Sequence, residues 1–263
     1  MSLSVATLNL HCGLDGRGVP YPVTGAIGAL AADVVLVQEN WRPTGADSLA
    51  RRAALAGGYD HLAELDLVRT TPLRELKIIP GEVPGETGAW GLAVLSRFPV
   101  RAYATVALGA APGDVAGTRM AQILEITDED GAAIRVVNVH LTHRLTHGPA
   151  QLRRLLGALR NSATGGSGDR ARGSALPTLI GGDFNMCRPA VYLARGYRPL
   201  VRGRTWPAHR PVAQLDHLLA TSGVTLATQE VCPSVGSDHL PVRALLAVAG
   251  KQHAGPIADR VRG

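Results

Sequence analysis

The run Gly181-Gly182-Asp183-Phe184-Asn185 constrains the fold most, because it directly follows the apolar stretch from Leu176 to Ile180. A short apolar run that ends in glycines is typical of a buried strand whose end approaches backbone or ligand closely. Asp183 and Asn185 are two residues apart, so in an extended backbone they share one side. Taken alone, the segment also fits an ordinary turn, in which Gly, Asp and Asn are all common.

Four further apolar segments carry polar side chains near their ends. Leu3 to Leu10 is predicted to be a strand with Asn9 near its end, and Asp33 to Val37 is typical of a strand buried on both faces that leads to Glu39. The other two are Ile134 to Leu141, with Asn138 and His140, and Val212 to Leu219, with Gln214, Asp216 and His217. A lone Asp or His in such a strand is usually structural. The repeated pattern instead predicts that strand ends form a shared polar site.

A further polar segment, Ser237-Asp238-His239-Leu240-Pro241, lies far downstream and adds a carboxylate and an imidazole. Carboxylates and amides are ligands that hard divalent cations prefer, and an imidazole can move a proton near neutral pH. The chain therefore has the groups needed to bind a cation and activate water.

These segments resemble the motifs of the endonuclease/exonuclease/phosphatase superfamily of metal-dependent phosphoesterases, the DNase I-like proteins. In family order they are Thr7-Leu8-Asn9, Gln38-Glu39, Gly91 to Arg97, Asn138-Val139-His140-Leu141, Gly182-Asp183-Phe184-Asn185, Leu215-Asp216-His217 and Ser237 to Val242. Each motif is weak alone, whereas the ordered set is specific and covers nearly the whole chain. The resemblance implies an α/β fold, a four-layer α/β/β/α sandwich of two packed mixed β-sheets flanked by helices.

The resemblance also implies roles for single residues. Glu39, with Asn9 beside it, would hold Mg2+ or Mn2+ through oxygen ligands, and Asp238 would add to this metal site or orient its neighbour. Asp183 would orient and deprotonate the attacking water, while Asn185 would fix the phosphate or the water.

The remaining predicted site residues act on the phosphate. His239 would donate to the phosphate or act as an acid-base group, with Asp216 setting its tautomer, and His140 would hydrogen-bond a non-bridging oxygen. Arg119 is a candidate for phosphate binding, with a surface ion pair as the alternative. Trp206 is a candidate substrate contact, although packing beneath the site is favoured over stacking on a base.

Organisation along the chain predicts one domain at residues 1–248 and a basic, poorly ordered tail at 249–263. The strands divide into two related halves, of which the first ends with Val100 to Leu108. Thr70 to Thr87 and Asn161 to Ser174 are predicted to be surface loops because they are rich in breakers or small polar residues. The leucines at 152, 155, 156 and 159 predict an amphipathic helix that begins after Pro149.

Composition excludes several classes of protein. The 263 residues contain no apolar run long enough to cross a bilayer and no charged start with an apolar h-region, which predicts a cytoplasmic location. A monomer is also expected. The three cysteines show no paired spacing, so a disulfide framework is not expected. Cys12 and Cys187 are expected to lie close together as small buried thiols rather than as a redox pair.

The net charge of +6 comes almost entirely from arginine, which suits a phosphorylated or polyanionic partner. We therefore expect a phosphoester hydrolase, with nucleic acid favoured as substrate over a sphingomyelin-like lipid or an inositol phosphate. A catalytically silent phosphate-binding module is the alternative of another class. Zinc at His140, His143 and His147 is a third hypothesis, disfavoured because Pro149 is expected to keep the histidine pair out of a helix.

Overall fold

The computed structural model describes residues 1–76, 86–164 and 176–249. The predicted loops Thr70 to Thr87 and Asn161 to Ser174 lie partly outside these ranges, and the predicted tail lies outside them from residue 250 onward.

Strands dominate the described chain. In chain order they are β1 (Ser2–Asn9), β2 (Val34–Pro43), β3 (His61–Pro72), β4 (Thr87–Ser96), β5 (Val100–Ala110), β6 (Thr118–Thr127), β7 (Ala133–His140), β8 (Thr178–Asp183), β9 (Arg198–Pro199), β10 (Asp216–Ala220), β11 (Val224–Val231) and β12 (Val242–Val248). The helices are α1 (Val23–Ala29), α2 (Leu49–Gly57), α3 (His147–Thr164) and α4 (Arg188–Val191), with short 3-10 turns at His11–Gly13 and Leu73–Leu76.

The strands form two six-stranded sheets of matching design. The first has the order β11-β12-β1-β2-β4-β3 and the second the order β5-β6-β7-β8-β10-β9. Each contains one parallel pair near its centre, β1 with β2 and β7 with β8, flanked by antiparallel neighbours. Both sheets are therefore mixed, and the carboxyl ends of the parallel strands are the natural place for a site.

Successive side chains of a strand point to opposite faces of its sheet, which explains how the helices and the two sheets form layers. In β2, Val34 and Leu36 pack between the two sheets, whereas Val35 and Val37 pack toward α1 and α2. On the second sheet, Val136 packs toward the first sheet, while Val137 and Val139 pack with the leucines of α3. Burial on both faces accounts for the nearly continuous apolar runs in the sequence. The result is the predicted α/β/β/α sandwich.

A buried polar network replaces the apolar core near one end of the inter-sheet layer. Gln38 Nε2 donates to Asn138 Oδ1 at 2.7 Å, and the Gln38 amide also exchanges hydrogen bonds with Thr7 Oγ1. Asn138 Nδ2 in turn contacts the carbonyls of Val37 and Ala93 and the side chain of Gln122. Because its groups are mutually satisfied, this network joins the two sheets directly beneath the ends of their parallel strands.

Several element boundaries differ from the sequence predictions. β5 pairs with β6 and belongs to the second sheet, while β11 and β12 return to the first, so the halves are not the consecutive ones expected. α3 begins at His147 instead of after Pro149, because a proline in the first helical turn gives up no hydrogen bond that the helix needs. The same helix continues to Thr164, into the segment predicted as a loop.

Candidate active site

Three neighbouring strands of the second sheet bring polar residues to one register position. Asp183, the last residue of β8, is paired with His140 at the end of β7 and with Asp216 at the start of β10. The alternation that places Val136 and Asn138 between the sheets places His140 on the same face, at the edge. The strand ends therefore form the predicted shared site.

Glu39 reaches this site through a β-bulge in the first sheet. Val37 pairs with Ala93 and Asn40 with Gly91, so two residues of β2 oppose one of β4, and Glu39 has a left-handed φ of 52°. Without the extra residue, strand alternation would turn residue 39 toward the helices. With it, Glu39 Oε1 lies 3.0 Å from Asn9 Nδ2, whereas Asn40 faces α2 and accepts from the backbone of Ala50.

Asp183 is the centre of the site. Its Oδ2 accepts from Asn9 Nδ2 at 3.1 Å and lies 3.5 Å from His140 Nε2 and 3.8 Å from His239 Nε2. Its Oδ1 accepts from the backbone N–H of Asn185 at 2.8 Å, which fixes the carboxylate at the strand end. One carboxylate oxygen thus faces an amide and two imidazoles from three other segments of the chain.

The glycines before Asp183 permit this close approach. Gly182 has a φ of 140°, and a Cβ there would lie 1.9 Å from the carbonyl oxygen of Val139 on β7. A Cβ on Gly181 would lie 2.5 Å from Leu36 of the other sheet. Both contacts are impossible for a larger residue without movement, which confirms the role predicted for this pair.

His239 is held by Asp216. The Nδ1 atom lies 2.8 Å from Asp216 Oδ2, and the backbone N–H of His239 donates to Ser237 Oγ. Ser237 Oγ also donates to the carbonyl of Asn9 at 2.6 Å, which ties this loop to the end of β1. The contact with Asp216 leaves Nε2 as the ring atom that faces Asp183.

The three central groups have strongly perturbed proton affinities. Burial raises the pKa of Asp183 to about 7, with His239 opposing and Asp216 adding to the rise. For His239, burial alone would lower the pKa, but the carboxylates of Asp216 and Asp183 outweigh it and raise the pKa to about 10. Burial, with Arg119 and His239, holds the pKa of His140 well below its usual range. At neutral pH His239 is therefore a cation and His140 is neutral.

Two parts of the site offer ligand atoms for a cation, a cluster around Asp183 and the side chain of Glu39. Among the described residues, Asp183, Asp216 and His239 offer ligand atoms within 4.8 Å of one another. A protonated imidazole clamped to a carboxylate cannot ligate a metal, so these three form an ion triad. Glu39 offers a carboxylate oxygen outside this triad: its Oε2 is buried without a hydrogen-bond partner, as is Asp216 Oδ1, while Glu39 Oε1 contacts Asn9. A buried carboxylate oxygen left open in this way suits a hard cation.

The other two predicted metal ligands, Asn9 and Asp238, are engaged in contacts with neighbouring side chains. Asn9 turns its NH2 group toward Glu39 and Asp183, and its oxygen accepts from the backbone of His11, so it joins the two carboxylates as a donor. Asp238 accepts from Trp206 Nε1 at 3.2 Å and lies 3.5 Å from His11 Nδ1. Of the two predicted roles of Asp238, this placement favours orienting its neighbours.

Arg119 is occupied by an ion pair. Its Nε and Nη2 donate to the two oxygens of Asp114, each at 2.9 Å, and its guanidinium lies over the ring of Trp90. The pair is buried, unlike the surface pair given as the alternative, and Arg119 Nη1 reaches the carbonyl of His140. Arg119 therefore supports the His140 strand end, a function for which its position in the sequence gave no signal.

Trp206 is 38% exposed, which corrects the expectation that it packs beneath the site. The cause is a tight turn: an isolated bridge pairs Trp206 with Ala213, and the indole N–H is held by Asp238. His11, to which sequence reasoning gave no role, lies on the other side of Asp238 in a left-handed backbone conformation. Its position two residues after Asn9 was the signal available for it.

The remaining residues singled out from the sequence do not join the site. His217 contacts the carbonyl of Met186 and packs edge-on against Phe184. Within the described ranges, His143 and His147 belong to no group of three metal-binding side chains. The cysteines are free, and Cys187 is exposed, which corrects the expectation of a buried thiol at that position.

The comparisons with known proteins agree with this geometry. The model of the Endonuclease/Exonuclease/phosphatase family matches residues 6–239. The chain belongs to this family. Family members are phosphoester hydrolases, so the prediction of an enzyme is confirmed, and the family is generally dependent on divalent metals.

Solved structures with the same fold share little sequence with the chain. A Beutenbergia cavernae protein described as an endonuclease/exonuclease/phosphatase is 20% identical with a TM-score of 0.68, covering 95% of this chain and 72% of its own. The human nocturnin catalytic domain is 17% identical with a TM-score of 0.68, covering 94% of both chains. ANGEL2, described as a 2',3'-cyclic phosphatase, is 16% identical with a TM-score of 0.65, covering 94% and 95%. No curated protein sequence matches significantly.

These likenesses confirm the predicted fold class, two packed mixed sheets with flanking helices. Among the described residues, no helix combines the length and apolar character needed to span a membrane. The predictions of a monomer and of a cytoplasmic location remain predictions.

Proposed function

We propose that the protein hydrolyses phosphodiesters with Mg2+, or Mn2+ in its place, and that Asp183 acts as the base and His239 as the proton donor. The observation that carries this proposal is the convergence on Asp183 Oδ2 of Asn9, His140 and His239, beside a buried Glu39 oxygen that has no partner. A carboxylate with a pKa of about 7 and an imidazolium with a pKa of about 10 can serve as base and acid near neutral pH.

Asp183 is the base. Its pKa of about 7 means that it can accept a proton from a water molecule near neutral pH, which a carboxylate of ordinary acidity does poorly. Asn9 and Asn185 hold the carboxylate in place by hydrogen bonds, so its orientation does not depend on the substrate. A fixed base reduces the entropy cost of reaching the transition state.

His239 is the donor. Its Nδ1 is engaged by Asp216, so the Nε2–H of the cation is free to donate to a phosphoryl oxygen or to the leaving oxygen. His140 stays neutral and offers a second, uncharged N–H near Asp183. The two imidazoles thus supply hydrogen bonds where negative charge develops on the phosphate.

Glu39 would hold the cation, with Asn9 fixing that carboxylate through Oε1. A bound divalent cation would supply Lewis-acid neutralisation of the phosphate charge. Asp238, held by Trp206 and facing His11, would orient the loop that carries His239. Trp206 is exposed beside this loop and is proposed as a substrate contact, whereas Arg119 would act by supporting the end of β7.

The sequence-based preference for a polynucleotide rests on arginine-dominated charge. Part of that charge, in the predicted loop Asn161 to Ser174 and in the predicted tail, lies outside the described residues.

The test is hydrolysis of bis(p-nitrophenyl) phosphate by the purified full chain, first with EDTA and then after addition of Mg2+ or Mn2+. We expect no turnover in chelator and recovery with either metal. Turnover restored by Zn2+ alone would favour the histidine-zinc hypothesis. A folded protein that is inactive with all three metals but binds inorganic phosphate would support the silent binding module.

A further inference from the structure

The exposed apolar side chains of this protein are concentrated around the active site. Ten large hydrophobic residues are exposed in the described chain, and five of them lie on loops at the site end of the sandwich. These five are Val19, Val115, Leu145, Trp206 and Val212. Single exposed apolar residues need no explanation, but their concentration around one opening does.

Strand directions place these loops at one end. β1 ends at Asn9 before the loop that carries Val19, and β7 ends at His140 before the loop that carries Leu145.

The other two loops reach the same end by direct contacts. The turn with Val212 leads into Asp216 and contacts Asp238 through Trp206. The β5–β6 connection holds Val115, and Arg144 Nη2 donates to the carbonyl of Gly113 within it.

Hydrogen bonds within the loops fix their backbones, so the exposed apolar side chains are held at defined positions. Asp15 Oδ1 accepts from the backbones of Arg17 and Val19, which closes the first loop as a tight turn. The backbone N–H of Val212 donates to the carbonyl of Trp206 in the same way. Leu145 is 89% exposed and Val212 60% exposed, so each leaves most of its apolar surface in water. That exposure is unfavourable unless another apolar phase covers it.

Basic residues accompany the apolar ones. The same loops carry several arginines, among them Arg17, Arg144 and Arg210. Two nearby carboxylates are already engaged, Asp114 with Arg119 and Asp238 with Trp206. Asp15 is used by backbone amides of its own turn. The rim is therefore both apolar and positively charged.

This combination matches a phospholipid surface better than a polynucleotide. Nucleic-acid backbones are bound by arginine, lysine and polar groups, and they offer nothing to cover exposed leucine and valine. At the membrane interface, Leu and Val enter the acyl boundary, Trp and Tyr lie at the headgroup level, and Arg pairs with lipid phosphate. We infer that the active-site end of this protein docks on a phospholipid bilayer and takes a lipid headgroup phosphodiester as substrate, an inference that rests on the proposed function.

The test separates docking from catalysis. Flotation with vesicles of phosphatidylcholine and phosphatidylserine is measured in EDTA, where no hydrolysis is expected. The double variant Leu145→Ser with Val212→Ser should bind at least about tenfold more weakly, because two apolar contacts with the bilayer are lost. The matched control is Leu55→Ser with Leu245→Ser, which removes exposed leucines from α2 and β12 and should bind like the wild type.

The second measurement compares hydrolysis of a soluble substrate with hydrolysis of a lipid substrate. With metal, both double variants should cleave soluble bis(p-nitrophenyl) phosphate at the wild-type rate, whereas the Leu145/Val212 variant should lose about tenfold or more on sphingomyelin in vesicles. If neither the wild type nor the double variants hydrolyse the soluble substrate, the proposed function is wrong, whereas vesicle binding by the wild type would still support docking. Soluble hydrolysis without vesicle binding would overturn the docking inference.

Two other occupants of the rim are distinguishable. If single-stranded DNA binds more tightly than vesicles, and binding is insensitive to the Leu145/Val212 change, the partner is a polynucleotide and the inference is wrong. If the wild type elutes as a dimer and the Leu145/Val212 variant as a monomer, the rim is a self-association surface and the inference is also wrong.

Discussion

Asp216 Oδ2 lies 2.8 Å from His239 Nδ1, and this contact leaves Nε2 of the same ring 3.8 Å from Asp183 Oδ2. The imidazole thus lies between two buried carboxylates that come from adjacent ends of β8 and β10. The positive charge of the His239 imidazolium interacts with both carboxylates. The pKa of each of the three groups therefore depends on the charges of the other two.

The first prediction concerns the pKa of His239. Asp216 is the stronger of the two carboxylates in raising this pKa to about 10, so Asp216→Asn should lower it more than Asp183→Asn does. Asp47→Asn, in an exposed residue of the loop before α2, should leave it unchanged. The measurement is an NMR titration of the imidazole without metal. Equal values in all four proteins would refute the ion triad.

The second prediction is the pH dependence of stability without metal. The folded pKa of Asp183 is raised from 3.8 to about 7, so its contribution to the free energy of unfolding falls as pH rises through that range. His239, raised from 6.5 to about 10, contributes stability that is full below 6.5 and is lost as pH rises through 10. In Asp183→Asn the loss of stability between pH 3.8 and about 7 disappears. The loss near pH 10 becomes smaller, because His239 no longer has the Asp183 carboxylate to raise its pKa. Urea unfolding at several pH values should therefore give a flatter profile for this variant than for the wild type, and parallel profiles would contradict the assignment.

Much of the fold and site followed from residue patterns. Long apolar runs located β1, β2, β7 and β8, because strands buried on both faces leave a strong local signal. The polar residues that end these runs located Asn9, Glu39, His140 and Asp183 for the same reason. The two-residue strand β9 and the short helix α4 left no comparable signal.

Features that depend on tertiary contacts were not accessible from sequence. The bulge that turns Glu39 into the site is set by its pairing with β4, not by local composition. Arg119 was a plausible phosphate contact until the fold placed Asp114 beside it. Trp206 was expected to be covered, and its exposure follows from a turn closed by Ala213 and from the bond to Asp238. In each case a distant partner decided the role.

The third prediction is that Arg119→Met destabilises the protein by about 3 to 5 kcal/mol, the usual effect of leaving one buried charge without its partner. The orphaned group is Asp114, whose side chain is completely buried. Arg135→Met removes a more exposed pair with Glu125 and should cost less than about 1 kcal/mol. Urea unfolding measures both. Similar small losses would mean that the Asp114 pair contributes no more than a surface ion pair.

The fourth prediction is that Glu39→Gln raises the Mg2+ concentration for half-maximal rate by about tenfold or more, because a hard cation loses an anionic oxygen ligand. Glu64→Gln is a suitable control, since Glu64 lies near the same strand but contacts Asn40 and Arg51 instead. Steady-state rates across a Mg2+ series supply the measurement. An unchanged metal requirement in Glu39→Gln would place the cation elsewhere.

The most direct test of the proposed chemistry is the turnover of Asp183→Asn and His239→Ala on bis(p-nitrophenyl) phosphate at saturating Mg2+, beside the Asp47→Asn control. Loss of an acid-base group typically lowers turnover by ~100-fold or more. We expect that loss in both site variants, with wild-type circular dichroism, and full activity in the control. If either site variant remains folded and retains more than about a tenth of wild-type turnover, Asp183 and His239 do not have the proposed roles.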